Sequence, residues 1–132
     1  MNKIIQGDAL TELTKLDSES VDCCITSPPY WALRDYKVEG QLGNEPTIDQ
    51  YVDNLISVFL EVKRVLKKEG TCWIVLGDTY SGNWENRNGI GKNASCSKRV
   101  FDNQASNRNI STNIPDKSLC MIPERFAIKM ID

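Results

Sequence analysis

The sequence lacks several residues and spacings that particular kinds of site require. It has no histidine, and its five cysteines form no Cys-x-x-Cys pair. Histidine and closely spaced cysteines are the usual ligands of zinc, so no metal site is expected. An odd cysteine count also disfavours a disulfide framework and is typical of a reducing compartment. We therefore expect a cytoplasmic protein with free thiols.

Long apolar runs and an excess of basic residues are also absent. No segment approaches the roughly 20 apolar residues that span a bilayer, and the opening Met-Asn-Lys does not resemble a signal peptide, so no membrane association is expected. The net charge of −2 and the isoelectric point near 5.2 give no general attraction to phosphate. What is present is a chain of 132 residues, 40% hydrophobic and 26% charged, as expected of one globular domain.

The most informative stretch is a strand-like segment followed by a rigid turn. Residues 21–25 form a short, largely apolar run that is typical of a buried strand, and the two prolines of Ser27-Pro28-Pro29-Tyr30 must end it. We call this tetrapeptide the proline turn. Both prolines lack an N–H group and have a fixed φ, so the turn is stiff and its carbonyls can act as acceptors. A hydroxyl, rigid carbonyls and the rings of Tyr30 and Trp31 suit a flat ligand ring that carries an exocyclic amine.

The region before this strand predicts a strand and a helix. Residues 3–6 form a short β-branched segment, and residues 9–16 carry leucines at helical spacing. Asp8 lies between the two, where aspartate is a preferred N-cap. Capping the helix and contacting a ligand are both open roles for Asp8.

The clearest helix of the chain follows the proline turn after a glycine-containing loop. Thr47, with Gln50 three positions later, resembles a capping box, and the apolar residues that follow recur every three or four positions. Gly70 predicts the end of this helix, and residues 71–76 predict a second buried strand. Residues 117–132 again carry apolar residues at helical spacing.

The order of these elements predicts an α/β fold with a parallel sheet of at least three strands and flanking helices. A strand, a crossover helix and a strand form a right-handed parallel pair, so the carboxyl ends of both strands share one edge. Ser27 and Asp78 follow those ends, and open α/β sheets bind ligands there. Asp78 is therefore either a wall of a ligand pocket or a helix-capping or turn acid.

Residues 81–117 break this pattern and predict a polar loop insertion. This segment is rich in asparagine and glycine and lacks periodically spaced aliphatic residues. It contains six lysines and arginines but only three acidic residues. Loops of this length inside a compact domain are usually functional or disordered. Basic residues interleaved with Trp84 and Phe101 suit contact with DNA. For each residue taken singly, a position in a solvated loop is the favoured interpretation.

The proline turn resembles the catalytic motif of the amino-group DNA methyltransferases, which reads Asp, Asn or Ser followed by Pro-Pro-Tyr. The form with serine and a following Trp31 is similar to the cytosine-N4 branch. Four further segments resemble the same family in order and spacing: Arg34-Asp35-Tyr36, residues 40–43 (Gly-Gln-Leu-Gly), Gly77-Asp78-Thr79-Tyr80 and Lys117-Ser118-Leu119.

This resemblance implies a Rossmann-like methyltransferase fold and specific roles for several residues. The hydroxyl of Ser27 and the carbonyl of Pro28 would accept the two N–H groups of a target amine, and Pro29 would stiffen the turn. Tyr30, with Trp31, would stack on a base flipped out of double-stranded DNA. The resemblance also implies S-adenosylmethionine as cofactor. It further implies that Asp8 contacts the adenine side of the cofactor. Independently of the resemblance, the strand geometry makes Asp78 a candidate wall of the base pocket. The position of Arg34 on the loop just past the turn suits contact with a phosphate or a structural pair with Asp35 or another acidic residue.

One family feature is missing. A Phe-x-Gly-x-Gly turn, which would bind the amino-acid end of the cofactor, occurs nowhere in the sequence. Residues 1–132 are therefore interpreted as a partial catalytic domain, without the glycine motif and the target-recognition region, which would lie in a missing C-terminal half or a second chain. Three functions stay open: a cytosine-N4 methyltransferase of a restriction-modification system, an adenine-N6 methyltransferase, or a non-catalytic binding module.

Overall fold

The computed structural model describes residues 2–81, 114, 115 and 117–132. These residues form an α/β arrangement, as predicted. The loop predicted over residues 81–117 lies mostly outside the described residues, including Trp84, Phe101 and five of its six basic side chains. The elements in chain order are α1 (Ala9–Leu13), β1 (Val21–Thr26), α2 (Ile48–Val65), β2 (Leu66–Ile74) and α3 (Ile122–Ile131).

Helix α2 organises the core, and its predicted beginning and apolar stripe are confirmed. The hydroxyl of Thr47 accepts a hydrogen bond of 3.2 Å from the backbone N–H of Gln50. Each large apolar side chain that is fully buried contributes roughly 1.5–3 kcal/mol, which outweighs the modest capping energy. The buried residues of α2 are Ile48, Tyr51, Val52, Leu55, Phe59, Val62 and Val65.

The predicted end of this helix at Gly70 is wrong. Leu66 is already extended, with φ −67° and ψ 137°, and β2 begins there. Leu66 pairs with Val21, and the Lys67 ammonium lies 2.6 Å from the Asp22 carboxylate. From Leu66 onward, β2 pairs with β1, and this pairing gives hydrogen-bond partners to backbone groups that have none at the end of a helix. The contact with a distant strand therefore overrides the local preference for ending the helix at Gly70.

The sheet has two parallel strands in the described residues, not the predicted three or more. Residues 3–6, predicted as a strand, adopt no regular structure, and Ile4 is 98% exposed. Isoleucines favour extended backbone, but a strand forms only where its N–H and C=O groups find a neighbouring strand. Helix α1 is likewise shorter than predicted and ends at Leu13.

Helix α1 is anchored to α2 through one arginine. The Arg64 guanidinium donates hydrogen bonds of 2.9 Å to the Leu13 carbonyl and 3.0 Å to the Leu16 carbonyl. Carbonyls at a helix C-terminus lack intrahelical partners, and a cation there is favourable. This contact fixes the C-terminal end of α1 near the amino end of β1, where the Glu19 N–H donates to the Arg64 carbonyl at 3.1 Å.

Helix α3 packs against α2. Phe126 meets Phe59 edge to face, with ring centroids 5.0 Å apart. Pro123 lies in the first turn of α3, where its missing N–H costs nothing. Leu119, predicted within this helix, instead forms an isolated antiparallel bridge with Tyr80. None of the helices described is long and apolar enough to cross a membrane.

Candidate functional site

The proline turn and the Gly77-Asp78 segment lie at the same edge of the sheet, as predicted. Thr26 pairs with Ile74 at the carboxyl ends of β1 and β2, and the Val75 N–H donates to the Thr26 carbonyl at 3.0 Å. Ser27 and Asp78 therefore both follow paired strand ends, in the place where parallel sheets bind ligands.

The side chains at the two ends of the proline turn converge. The Ser27 hydroxyl lies 3.3 Å from the Tyr30 hydroxyl, and Ser27 is exposed. The Tyr30 ring lies against the backbone of Gly77, because a Cβ added at Gly77 would be 2.8 Å from two ring carbons. The absence of a side chain at Gly77 thus sets the position of the Tyr30 ring.

The turn is also held from the core side by Tyr51. The Tyr51 hydroxyl donates a 2.8 Å hydrogen bond to the Pro29 carbonyl, and the residue is fully buried. Burial, followed by the negative charge of Glu45, raises the pKa of Tyr51, so its hydroxyl remains a donor. From the sequence, Tyr51 was predicted only as a member of the apolar stripe. Its hydroxyl could have indicated a hydrogen bond in the core, since buried tyrosine hydroxyls usually find a partner.

Trp31 lies in the core and does not present a ring face at the surface. Only 3% of its surface is exposed, and its indole N–H donates to the Glu45 carbonyl at 2.9 Å. The predicted stacking of a base on Trp31 has no support from this placement. Burial explains the choice of tryptophan here, because the side chain fills the space between the turn and α2.

Glu45 connects the loop after the proline turn to α2. Its carboxylate accepts hydrogen bonds from the Gly43 N–H at 2.8 Å and from the Asn54 side-chain amide at 3.0 Å. Gly43 has a φ of +92°, and a Cβ there would lie 2.9 Å from the Tyr30 carbonyl. The loop therefore needs glycine at this position to approach the proline turn.

Asp78 acts as a helix cap, one of its two predicted roles. Its carboxylate accepts hydrogen bonds from the backbone N–H groups of Thr79 at 2.8 Å, Met121 at 3.0 Å and Ile122 at 3.1 Å. Met121 has a φ of 56° and supplies no side-chain cap of its own. The carboxylate thus lies at the positive end of α3, a favourable position for a negative charge. Contact with a substrate remains a prediction for Asp78.

Asp8 caps α1. Its carboxylate accepts hydrogen bonds from the Thr11 N–H at 2.9 Å and from the Thr11 hydroxyl at 2.8 Å. These bonds, the backbone one first, lower the pKa of Asp8. Contact with a cofactor remains a prediction for this residue.

Arg34 is exposed on the loop after the turn. Its carbonyl accepts a 2.6 Å hydrogen bond from the Gln41 side-chain amide, while the neighbouring Asp35 carboxylate accepts one of 2.8 Å from the Lys37 N–H. The loop backbone is therefore ordered by its own side chains. The predicted contact of Arg34 with phosphate is compatible with its exposure and remains a prediction.

A cavity of about 410 Å³ opens between α1, α2 and the proline turn. Its walls are largely apolar, with Ser27 and Glu12 among the few polar side chains. No cluster of three metal-ligating side chains occurs in the described residues. The lining residues are Ile5, Ala9, Glu12, Leu13, Leu16, Cys24, Thr26, Ser27, Pro28, Pro29, Leu42, Leu55, Val58, Phe59 and Val62.

Comparison with known proteins identifies relatives among type II methyltransferases. The chain is 54% identical over 81 residues to the type II methyltransferase M.XycI of Xanthomonas campestris pv. cyanopsidis, covering 61% of this chain and 27% of the relative. It is 44% identical over 100 residues to M.SmaI of Serratia marcescens, covering 74% and 34%. It is also 40% identical over 72 residues to the DNA adenine methyltransferase YhdJ of Escherichia coli, covering 54% and 24%. No solved structure matches the chain.

These matches cover about a quarter to a third of the length of the relatives. The family assignment itself rests on a longer match. The model of the DNA methylase family, which describes N6 and N4 methyltransferases, matches residues 21–126. This range includes the proline turn, α2, Gly77-Asp78 and the beginning of α3, so the chain belongs to the DNA methylase family.

Proposed function

We propose that the chain is the catalytic part of a DNA methyltransferase that methylates the exocyclic N4 amine of cytosine in double-stranded DNA. The observation that carries this proposal is the geometry of the proline turn. Ser27 is exposed and lies beside the Tyr30 hydroxyl, while Tyr51 and Gly77 hold the turn and the ring from behind. The turn is preorganised, so substrate binding need not first order it.

The Ser27 hydroxyl and the Pro28 carbonyl accept the two N–H groups of the target amine. An exocyclic amine is a poor nucleophile because its lone pair is delocalised into the ring. Two acceptors on its N–H groups favour a pyramidal nitrogen and direct the lone pair away from the ring plane. Direct attack of this lone pair on the methyl group of bound S-adenosylmethionine would break the sulfur–methyl bond, release the thioether and lose one amine proton to solvent. No covalent intermediate with a cysteine is required.

Tyr30 stacks on the base in its flipped position. Flipping costs a few kcal/mol of lost stacking and pairing, and an aromatic surface returns part of that energy. Trp31 is left out of this role because it is buried. Arg34, exposed on the adjoining loop, contacts a phosphate near the flipped nucleotide.

The residues present fit part of an S-adenosylmethionine site. The cofactor supplies an electrophilic methyl group when bound. The apolar cavity of about 410 Å³ beside Ser27 suits the adenine end, and Asp8 at the start of α1 contacts the adenine side. The sequence has no glycine-rich turn that could bind the charged amino-acid end of the cofactor. Binding of that end requires additional polypeptide that extends the sheet to a Rossmann-like fold.

Cytosine N4 is favoured by Ser27. A hydroxyl is a weaker acceptor than the carboxylate of an Asp-Pro-Pro-Tyr motif, and the serine form resembles the cytosine branch. Adenine N6 is the second candidate, supported by the similarity to YhdJ, which is named a DNA adenine methyltransferase. Both amines present two N–H groups to the same acceptors. The mechanism is therefore common to both candidates.

The product of the reaction tests this proposal. The chain, alone and co-expressed with M.XycI from which the 81 matched residues have been deleted, is incubated with duplex DNA and S-adenosylmethionine, and the digested nucleosides are identified by mass spectrometry. We expect N4-methylcytosine from the co-expressed pair and little product from the chain alone. N6-methyladenine would change the substrate and retain the mechanism. If the co-expressed pair yields no methylated nucleoside, the methyltransferase proposal is rejected, and a non-catalytic binding module is the remaining function.

A further inference from the structure

Two cysteines lie directly opposite each other on the two strands of the sheet. Cys24 of β1 and Cys72 of β2 are partners in the register of the strands, and both are free thiols. Neighbouring strands are about 4.8 Å apart, and paired residues place their side chains on the same face of the sheet. A disulfide joins residues whose Cα atoms are roughly 4.4–6.8 Å apart. The backbone positions of this pair therefore permit a disulfide.

The two thiol groups also interact with each other. Partial burial, followed by the neighbouring Cys24 thiol, raises the pKa of Cys72 to about 11. The influence of Cys24 includes a hydrogen bond between the side chains, so the two sulfur atoms face each other. A thiol with a raised pKa is a poor leaving group when a disulfide is attacked. A disulfide that includes Cys72 should therefore be reduced slowly once it has formed.

The other two cysteines of the described residues have no cysteine as a strand partner. Cys23 lies on the opposite face of β1, and its partner is Thr71, whose hydroxyl donates a hydrogen bond of 3.5 Å to the Cys23 sulfur. Cys120 is fully buried in the core. The register of the two strands thus distinguishes one cysteine pair from the remaining described thiols.

We propose that Cys24 and Cys72 are a site of reversible oxidation, at which a low-molecular-weight disulfide converts the two thiols into a disulfide between β1 and β2. One cysteine thiolate attacks a sulfur of the small disulfide, breaks its S–S bond and releases the first small thiolate. The other cysteine thiolate then attacks the protein sulfur of the mixed disulfide and releases the second small thiolate. The two small thiolates take up the two protons that the cysteines lose, so two electrons pass from the protein to the small disulfide.

This oxidation site adjoins the candidate functional site. Cys24 lies three positions before Ser27, and both residues line the cavity between α1, α2 and the proline turn. Formation of the bond brings the Cys24 sulfur to Cys72, so oxidation alters one wall of this cavity. Cys72 is exposed and therefore accessible to a small disulfide. The inference does not depend on the proposed function, because it concerns only the thiols of this chain.

Incubation of the folded chain with oxidised glutathione tests the proposal. A Cys96→Ser chain is used as the parent, because Cys96 lies outside the described residues. We expect mass spectrometry to show the loss of two hydrogen atoms and a fragment that joins Cys24 to Cys72. No lasting glutathione adduct should remain on either residue, since the second attack is intramolecular and therefore fast. Dithiothreitol should restore both thiols.

Single variants of the parent chain identify the residues of the link. Cys24→Ser and Cys72→Ser should each abolish the link and leave a glutathione adduct on the remaining thiol of the pair. Cys23→Ser is the matched control and should form the link as the parent does. Circular dichroism checks that the variants fold.

Oxidation in concentrated urea provides the second control. Unfolding removes the strand pairing that aligns the two thiols, so several cysteine pairings should form in urea. The proposal would be overturned by the same single pairing in urea, by a stable glutathione adduct on both Cys24 and Cys72 of the folded parent, by a link between Cys23 and Cys24, or by the absence of any reaction.

Discussion

The hydroxyl of Tyr51 donates a hydrogen bond of 2.8 Å to the carbonyl of Pro29. A residue in the middle of the apolar stripe of α2 thereby fixes the turn that carries the proposed chemistry. Because Tyr51 is fully buried, the bond is shielded from water, and its loss would leave the Pro29 carbonyl without that partner.

Tyr51→Phe tests this support with little change in volume. We expect the free energy of unfolding to fall by about 1–2 kcal/mol, and kcat of the completed enzyme to fall more than KM changes, since the turn loses order. Urea denaturation and steady-state methylation measure the two effects. Tyr36→Phe, at a side chain that is 54% exposed, is the control. An unaltered kcat in Tyr51→Phe would show that the bond has no positioning role.

Gly77→Ala should displace the Tyr30 ring. The added Cβ would lie 2.8 Å from two ring carbons, closer than carbon atoms normally approach. We expect methyl transfer to fall about tenfold or more, and stability to fall by about 1–3 kcal/mol as for an overpacked site. Combination with Tyr30→Ala removes the clash, so the two changes should be clearly non-additive in unfolding measurements. Simple addition would mean that Gly77 does not position the ring.

Ser27→Ala should reduce catalysis without reducing stability. The side chain is exposed, so unfolding should change by less than about 0.5 kcal/mol, while loss of one acceptor lowers methyl transfer about tenfold or more. Nucleoside analysis and urea denaturation are run on the same samples. Ser20→Ala, an exposed serine before β1, serves as control for the assay. Full activity of Ser27→Ala would remove the hydroxyl from the mechanism.

Asp78→Ala should weaken the attachment of α3. Loss of the cap leaves the N–H groups of Met121 and Ile122 without this partner and should cost about 1 kcal/mol. Hydrogen exchange should show faster exchange across the first turn of α3, with little change in β1. Asp78→Asn retains an acceptor and should cost less. Unchanged protection at α3 would contradict the capping role.

Asp8 should contribute to stability in a pH-dependent manner. Hydrogen bonds from Thr11 lower its pKa in the folded state below the usual value of about 3.9. The stabilisation is therefore present above about pH 4 and is lost as the pH falls through the folded pKa. Asp8→Asn should reduce the slope of unfolding free energy against pH in this acid range and leave the profile near neutrality flat. An identical acid slope in both proteins would contradict this.

Local signals predicted the elements whose cause is local. The Thr47 hydroxyl acts on its own helix, and the stripe of α2 follows from its 3.6-residue period, so both were visible in sequence. The position of the proline turn after β1 was equally predictable, because two prolines must end a strand. The predicted third strand failed because residues 3–6 carry the propensity for extended backbone but lack a pairing neighbour.

Long-range contacts decided the roles of individual polar side chains. Composition and spacing establish that Asp78 follows a strand, but only the folded chain brings its carboxylate to the N–H groups of α3. Similarly, the sequence predicts Trp31 as an exposed stacking surface beside Tyr30. In the structure, packing against α2 buries this side chain. Periodicity fixes which face of an element is apolar. The partner of a hydrogen bond depends on distances between residues far apart in sequence, and only the tertiary structure sets those distances.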